Sequence, residues 1–473
     1  MVKALDLDVT GDARKTVILG GGLTGISAAV HLRSPWVLLE KEARLGGHAR
    51  TDEREGYRFD KTGHWLHLRD PAVKQLVSDL LPGQMQAVAR KARIFSHGVL
   101  TRYPFQANLH GLPPDVVKEC LVGVVEARIA EARGAEAAHH GGATATGAGD
   151  GSVGASGGSA DSPPTNFEEY CLRHFGAGIS KHFMIPYNER IWGVSPREIT
   201  ADWCQRFVPL PNLDQVIAGA VGAGPPELGY NVSFLYPKQG GSETFTRALQ
   251  TRMSGGDVRT ATSPDAVDWK RREIVVGGER IPYRAVVATI PLPELLRRMP
   301  ELPASVAEAA SRLRCTTLRY LNVATRSATA ADWHWIYVPE RRYPFYRAGI
   351  FTNAMASMAP PGGASLYVEL ADRAPVTESG VRDVLIGLTE AGAIRGPEDV
   401  VFAEPKEIQY AYVVFDHHYY ASTTEIFRFL EANDIYPRGR YGAWTYNAME
   451  DCVIAGREVA ATIDALPAGP QRS

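Results

Sequence analysis

Short apolar runs alternate with amphipathic stretches along most of the chain, and this pattern favours a mixed α/β protein. Near the start, Lys15–Leu19 predicts a buried strand, Gly25–Leu32 predicts a helix, and Trp36–Glu40 predicts a second strand that ends in an acid. The same spacing predicts four later helices, which are Pro71–Leu81, Pro114–Arg133, Asn166–Gly176 and Asp451–Ile463. It also predicts five later strands, which are Glu273–Val276, Ala285–Ala288, Arg319–Ala324, Trp335–Val338 and Ser365–Leu370.

One stretch breaks this alternation. Seventeen of the 24 residues from 141 to 164 are Gly, Ala or Ser, with neither a helical nor a strand period. Such a composition buries too little apolar surface to offset the entropy of ordering it, so we predict a flexible insert. We expect an expanded surface loop in preference to a functional tether, because loops tolerate insertions well.

Composition narrows the class of protein. Of 473 residues 45% are hydrophobic, and 51 Lys and Arg nearly balance 53 Asp and Glu. This balance predicts neither nucleic-acid binding nor binding to a membrane surface. The five cysteines are far apart in sequence, so we expect neither a disulfide framework nor a metal site. Since the chain has no signal-peptide pattern and no long apolar run, we expect a cytoplasmic protein.

A glycine-rich turn lies between the first predicted strand and the first helix. Gly20, Gly22 and Gly25 form a G-x-G-x-x-G motif, in which glycine permits a tight turn, close approach of a pyrophosphate, and close packing of helix on strand. Glu40 follows at the end of the next strand, where a carboxylate can accept hydrogen bonds from ribose hydroxyls. These residues predict a dinucleotide site with the pyrophosphate at the helix N-terminus.

Two further segments indicate which dinucleotide is bound. After Glu40 come an arginine, a glycine pair and a threonine in KEARLGGHART, which resembles the FAD-binding region of the amine-oxidase-like flavoproteins. Near the C-terminus, GRYGAWTYNAMEDCVIAG resembles the segment with which those proteins close over the flavin. The resemblance implies FAD as the cofactor, held by Gly20, Gly22, Gly25, Glu40, Arg44, Gly47, Gly63, Arg440, Asn447 and Met449.

Between these motifs the chain resembles the UDP-galactopyranose mutases, from about residue 15 to residue 463 without the insert. The segment from Gly63 to His67, GHWLH, is similar to the family loop whose histidine contacts the reduced flavin, and it has the bacterial spacing. Over most of its length the chain resembles the eukaryotic type more than the bacterial type. Two further segments are similar to family motifs, namely YPFQ from Tyr103 and FMIPYNERIW from Phe183. In that family these two segments contact the nucleoside.

Two arginines match those that grip the sugar-nucleotide diphosphate in the family. They are Arg206 and Arg347, and planar guanidiniums suit this task because they bind phosphate oxygens bidentately. The resemblance implies that His64 and His67 act with them in catalysis. It implies that the substrate is bound by Tyr103, Gln106, Phe183, Asn188, Trp192, Asn231, Tyr337, Tyr412, Arg440 and Tyr446. The family's acid or amide after the final tyrosine has no clean counterpart, Asn447 being nearest, so the sugar stays open.

The predicted fold class is therefore α/β, with an interrupted Rossmann-type FAD-binding domain made of residues 14–70, 230–313 and 409–465. A largely helical substrate domain is expected over residues 71–229, and a mixed or antiparallel sheet domain over residues 314–408.

The implied activity is the interconversion of an NDP-hexopyranose and an NDP-hexofuranose, with UDP-galactose as the first candidate. It runs through an adduct of the sugar with reduced FAD and causes no net redox change. The partners are then a nucleotide-sugar substrate and NAD(P)H or another reductant. The alternatives are an amine-oxidase-like or protoporphyrinogen-oxidase-like oxidoreductase, a mutase acting on another NDP-sugar such as a GDP-hexose, and a non-catalytic binding protein.

Overall fold

The computed structural model describes residues 14–141, 163–204, 208–224, 232–371 and 374–467. Residues 142–162 of the predicted insert lie outside these ranges, and so do Arg206 and Asn231. The α-helices of the described residues are Leu23–His31, Pro71–Leu80, Pro114–Gly141, Phe167–Ile179, Ile185–Trp192, Leu213–Ala220, Glu243–Gln250, Leu292–Arg297, Ala304–Ser311, Phe351–Ala354, Glu378–Glu390, Tyr419–Glu431, Gly439–Gly442 and Met449–Asp464.

The first large sheet contains the N-terminal strand. Lys15–Leu19 pairs in parallel with Trp36–Leu39 on one side and with Glu279–Ala288 on the other. Val17 and Leu19 pack into one hydrophobic cluster and Ile18 into another, so both faces of this sheet are buried. Its full strand order is Ala266–Asp268, Glu273–Val276, Glu279–Ala288, Lys15–Leu19, Trp36–Leu39 and Gly256–Arg259, with Ile435–Pro437 also beside Glu279–Ala288.

The second large sheet is mainly antiparallel, and every residue of its strand Ala364–Leu370 is buried. Its strand order is Val400–Val413, Cys315–Thr325, Ala364–Leu370, Phe345–Ile350, Trp335–Tyr337, Ala92–Ser96 and Val99–Arg102. Two small antiparallel sheets pair Thr51–Arg54 with Tyr57–Asp60 and Met85–Ala89 with Ser233–Pro237. The predicted α/β fold class is confirmed.

The structure also adds elements that the local pattern did not predict. The hairpin Ala92–Ser96 and Val99–Arg102 belongs to the second sheet, although it lies within the segment expected to be largely helical. The strand Val400–Val413 crosses the expected domain boundary at residues 408 and 409. It mixes polar and apolar residues because it lies at the edge of its sheet, and that mixture hides it from a search for apolar runs. Among the described residues, no helix is long and apolar enough to span a membrane.

Candidate functional site

The glycine motif forms a cradle at the carboxyl end of the first strand. A Cβ on Gly25 would lie 2.0 Å from the carbonyl oxygen of Gly20, so only glycine allows this helix to approach the strand. Gly20 has a φ of +99°, in the left-handed region that favours glycine. A Cβ on Gly22, in contrast, would have Gly47 Cα at 3.9 Å as its nearest neighbour. The space above Gly22 is therefore open to a ligand.

Glu40 closes one side of this cradle. Its Oε2 accepts a hydrogen bond from the Gly21 amide at 2.7 Å, and its Oε1 accepts one from the Glu42 amide at 2.9 Å. An ionised carboxylate has about four acceptor positions, so capacity remains for ribose hydroxyls. The helix Leu23–His31 begins directly after the cradle with Gly22 as its N-cap and no side-chain cap. Its first-turn amides are available to an anion.

Arg44 is placed differently from the prediction. Its guanidinium donates to both carboxylate oxygens of Glu243, at 2.8 and 2.7 Å, and to Asp52 at 3.0 Å. It lines a separate polar cavity beside the strand Thr51–Arg54 and does not line the cleft described below. The physical reason is that a buried carboxylate needs a paired cation, and Arg44 supplies it to Glu243. The guanidinium thus anchors the helix Glu243–Gln250 to the cradle loop.

A cavity of about 470 Å³ opens beside the cradle, where Leu23 and Thr24 form part of its wall. Its other walls come from the helix Ile185–Trp192, from strands of the second sheet, and from the segment before the C-terminal helix. Fifteen residues predicted from the sequence line it, namely Gly63, His64, His67, Tyr103, Gln106, Phe183, Asn188, Trp192, Tyr337, Arg347, Tyr412, Arg440, Tyr446, Asn447 and Met449.

Aromatic rings form one wall of the cavity. Phe183 stacks between Phe105, with ring centroids 5.0 Å apart, and Tyr187, with centroids 5.2 Å apart. Asn188 fixes the next turn, because its amide donates to the Met184 carbonyl at 2.7 Å while its Oδ1 accepts from the Trp192 indole at 3.2 Å. This rigid apolar wall suits a flat base or another planar group.

The remaining nucleoside candidates lie beside this wall. The rings of Tyr103 and Tyr337 are 5.3 Å apart, and Arg90 lies 5.1 Å above the Tyr103 ring. Gln106 is buried and donates its amide to the Pro209 carbonyl at 2.8 Å, so its Oε1 is the atom left for a ligand. These residues thus form a floor with one amide oxygen and two phenols.

Two arginines meet at Tyr412. Arg347 donates to the Tyr412 hydroxyl at 3.0 Å and forms an ion pair with the buried Glu369. Arg440 lies 5.6 Å from the Tyr412 ring and 4.6 Å from the Tyr446 ring. The predicted partner of Arg347 was Arg206, which lies outside the described residues. Within those residues, Arg440 is the guanidinium that the fold brings to the same tyrosine.

Both guanidiniums are held in place by the protein. Arg440 donates to the Asn447 carbonyl at 3.1 Å and to the Ala411 carbonyl at 2.9 Å. Arg347 retains a buried Nε with no hydrogen-bond partner among the described residues. A buried donor without a partner costs about 1–3 kcal/mol, so this Nε adds to the cost of burying Arg347.

The two predicted histidines have different surroundings. Burial, with a further contribution from the charge of Arg440, lowers the pKa of His64 to about 4. Its Nδ1 is buried and has no hydrogen-bond partner among the described residues. The Nδ1 of His67 lies 3.2 Å from the Ser233 carbonyl oxygen, and burial lowers its pKa as well. Both imidazoles are therefore neutral at pH 7 and can donate or accept hydrogen bonds.

A third histidine was missed in the sequence. His48 lines the cavity and its Nδ1 lies 2.6 Å from the Tyr441 hydroxyl. Burial lowers the pKa of His48 well below its ordinary value, and the charge of Lys61 acts in the same direction. Its position directly after the glycine pair was a signal that could have been used. Tyr187 and Tyr441 also line the cavity and lie within the motifs quoted above, whereas Tyr367 lies outside every motif and gave no signal.

The charges around the cavity favour an anion. Four arginines line it, whereas Asp451 is its only lining carboxylate among the described residues; the arginines are Arg69, Arg90, Arg347 and Arg440. Two of these arginines form ion pairs with carboxylates that do not line the cavity, Arg347 with Glu369 and Arg69 with Glu450, so the positive excess is smaller than the count of arginines. In a partly enclosed cleft a positive excess raises the local concentration of anionic ligands. Aromatic walls beside these guanidiniums could hold an aromatic anion such as a nucleotide.

The cradle and cavity together fit FAD. The open space above Gly22, the free amides after it and Glu40 suit an adenosine diphosphate, as argued above. The cavity that starts at Leu23 and Thr24 could take the isoalloxazine ring, with Gly63, Asn447 and Met449 along its wall. The buried Nδ1 of His64 offers an unpaired polar atom to such a ring.

Comparisons with known proteins agree with this cofactor. A family model described as flavin-containing amine oxidoreductase matches residues 23–464. Over a shorter stretch, coproporphyrinogen III oxidase of Mycobacterium leprae (strain TN) is 32% identical across 111 residues, which are 22% of this chain and 23% of that relative. The match to this relative thus spans less than a quarter of its length.

Solved structures extend the likeness to almost the whole chain. A crystal structure of reduced UDP-galactopyranose mutase has a TM-score of 0.82 and 25% identity, covering 96% of this chain and 98% of that one. Putrescine oxidase bound to putrescine has a TM-score of 0.63 and 16% identity, covering 96% and 99%, and shows likeness of fold alone. The prediction of FAD as the cofactor is confirmed.

Proposed function

The chain belongs to the flavin-containing amine oxidoreductase family, and within that family we propose that it is a nucleotide-sugar mutase. The substrate we propose is an NDP-hexopyranose, UDP-galactopyranose first, which the enzyme interconverts with its furanose form without net redox change. A GDP-hexose is the alternative sugar nucleotide. The enzyme would act with reduced FAD and use NAD(P)H or another reductant to reach that state.

The observation that carries this proposal is the meeting of Arg347 and Arg440 at Tyr412, next to an aromatic wall. Two fixed guanidiniums can bind several oxygens of one diphosphate, and the stacked rings can hold its base. The likeness to reduced UDP-galactopyranose mutase over nearly the full length of both chains supports the same interpretation.

The side chains then have distinct tasks. Reduced FAD, when bound, supplies a nucleophilic ring nitrogen for the anomeric carbon. Arg347 and Arg440 would stabilise the charge on the leaving diphosphate and keep it beside the sugar, so its return is effectively unimolecular. Neutral His64 would orient the flavin through its unpaired Nδ1. The aromatic wall of Phe183 and Tyr187 would hold the base by stacking.

A second candidate is an oxidase that acts on a porphyrinogen. The relative named coproporphyrinogen III oxidase favours it, and so does the chemistry of the cavity, because the carboxylates of a coproporphyrinogen would also suit its arginines. A diamine substrate fits less well, since an ammonium group would meet four guanidiniums and one carboxylate.

One experiment separates these candidates. Enzyme reduced with dithionite is incubated anaerobically with UDP-galactopyranose, and the nucleotides are separated by chromatography. The mutase gives a new peak of unchanged mass, and the oxidised enzyme gives none. The oxidase instead converts coproporphyrinogen III in air and releases hydrogen peroxide. Peroxide formation together with no isomer from any NDP-hexose would disprove the mutase proposal.

A further inference from the structure

Arg190 lies in the helix Ile185–Trp192 but does not line the cavity beside the glycine cradle. Its guanidinium is buried, and it donates hydrogen bonds to four backbone carbonyls of a single turn. Nη1 donates to Val338 at 3.0 Å and to Glu340, and Nη2 donates to Tyr343 at 2.5 Å and to Phe345 at 2.8 Å. One side chain thus satisfies four of the eight backbone carbonyls from residue 338 to residue 345.

This turn connects two strands that carry site residues. Tyr337 ends the strand Trp335–Tyr337, and Arg347 lies opposite it in the strand Phe345–Ile350. The turn therefore closes the hairpin that presents both side chains to the cavity. Any rotation of the turn would move the phenol and the guanidinium together.

The helix that carries Arg190 also contributes Tyr187 to the aromatic wall. Tyr187, one turn earlier, contacts the ring of Tyr337 at 5.4 Å and the ring of Tyr346 at 6.1 Å between centroids. Arg190 therefore ties the aromatic wall to the hairpin by hydrogen bonds, and Tyr187 packs against the same hairpin. The two walls of the cavity are joined at this point.

No carboxylate among the described residues forms an ion pair with Arg190. The side chain of Glu340, the acid in the turn, is engaged elsewhere, because its Oε1 accepts from the His97 amide at 2.5 Å and its Oε2 from Arg342 at 3.1 Å. Burial of a charge that only carbonyl dipoles balance costs free energy. The fold would tolerate this cost where the planar, forked guanidinium of arginine is needed to bind several carbonyls at once.

We propose that Arg190 is a positioning residue that fixes the 338–345 turn and thereby sets the distance between the aromatic wall and the Tyr337–Arg347 hairpin, which together clasp the nucleoside diphosphate. The inference rests on the proposed function. Arg190 does not line the cavity, so it acts through Tyr337 and Arg347, and its loss weakens both the binding of the nucleoside diphosphate and the stabilisation of its charge by Arg347.

The test uses the FAD-loaded enzyme and UDP as the probe. We expect Arg190→Lys and Arg190→Met to weaken UDP binding at least tenfold by calorimetry and to lower kcat/KM at least tenfold while the flavin spectrum stays normal, because one ammonium cannot span four carbonyls and a thioether donates to none. The matched control is Arg341→Gln, since Arg341 lies in the same turn, is 76% exposed and pairs with Glu189. It should change UDP affinity less than twofold.

A double-mutant cycle with Arg347→Lys tests whether the effect passes through the hairpin. If Arg190 positions Arg347, the loss of UDP affinity caused by Arg347→Lys is smaller in the Arg190→Met background. Additive losses would overturn the inference, as would wild-type affinity in both Arg190 variants.

Two further outcomes are distinguished. If neither Arg190 variant retains FAD with a normal flavin spectrum, Arg190 serves folding and the positioning role is wrong. If wild-type enzyme itself binds no UDP, the proposed function fails first, and the inference falls with it. Binding of UDP to wild type with no response to Arg190 contradicts the inference alone.

Discussion

Tyr412 connects the two guanidiniums of the site, so its neighbours act as a group and not as separate contacts. Tyr412 and Glu369 hold Arg347 in place, and both stabilise the positive charge of its guanidinium inside a largely apolar sheet. Near it, His64 keeps a neutral imidazole because burial and the charge of Arg440 lower its pKa. Removal of one of these charges therefore changes the electrostatic environment of the other groups.

The first prediction concerns Arg347. Arg347→Ala should lower kcat/KM of the reduced enzyme at least a hundredfold, since a buried charge pair typically contributes about 2–5 kcal/mol. It also leaves the Glu369 carboxylate buried without a partner, so the melting temperature should fall. Arg347→Lys retains the charge and should melt close to wild type while still losing activity. Full activity of Arg347→Ala would contradict the assignment of Arg347 to diphosphate binding.

The second prediction concerns His64 in the flavin-free protein. Its folded-state pKa of about 4 lies below the unfolded value of about 6.5, so the unfolded chain takes up a proton first as pH falls. The stability that His64 contributes is full above pH 6.5 and decreases between pH 6.5 and pH 4. His64→Gln removes this dependence, so the difference in melting temperature between wild type and variant should shrink from pH 7 to pH 5. A constant difference would contradict the lowered pKa.

At the scale of elements, strand pairing aligns the site. Tyr337 lies opposite Arg347, and Arg347 lies opposite Glu369 on the next strand, so three strands place their side chains in one row. The first helix has a comparable role at the cradle, where its glycines serve two purposes. Gly25 allows the helix to meet the strand, and Gly22 leaves room for a ligand.

This difference between the two glycines gives the third prediction. Gly25→Ala places a Cβ 2.0 Å from a backbone carbonyl and should reduce soluble, folded protein strongly. Gly22→Ala has space and an extended backbone, with φ −76° and ψ −178°, so it should fold normally. It should nevertheless bind FAD at least tenfold more weakly, because the methyl group occupies the pyrophosphate position. Circular dichroism and the flavin-to-protein absorbance ratio measure both effects. Equal FAD content in wild type and Gly22→Ala would contradict the cradle.

At the scale of the whole molecule, the cavity lies where parts distant in sequence meet. Its walls include residues from Leu23 to Cys452, so its formation requires most of the chain to fold. A ligand that binds only this assembled state must stabilise it.

The fourth prediction follows from that linkage. Addition of FAD at about 100 times its Kd to flavin-free protein should contribute about 2.7 kcal/mol of stability and raise the melting temperature by several degrees. UDP should add a further increase, which Arg347→Ala should abolish. Adenosine without phosphates should give a much smaller shift than FAD, because it lacks the group that the helix N-terminus binds. An unchanged melting temperature with FAD would contradict the assignment of the cradle.

The chain itself determined the elements with strong local signals. The strands Lys15–Leu19 and Glu273–Val276 have the predicted bounds, because the period of buried positions depends on neighbouring residues. The glycine motif predicted the cradle, because turn geometry also depends on neighbouring residues. The first helix begins at Leu23, two residues before its predicted start, since Gly22 is already its N-cap. The motifs also named fifteen residues that line one cavity.

Only the tertiary structure decided which of these residues share a charge environment. No local pattern shows that Arg347 pairs with Glu369, that Arg44 is committed to Glu243, or that Arg440 reaches Tyr412. These partners meet through strand register and chain crossings that bring distant segments together, and local periodicity contains no information on them. The sequence thus specified the cofactor cradle, whereas packing between the sheets and helices specified how the arginines of the cavity wall are paired.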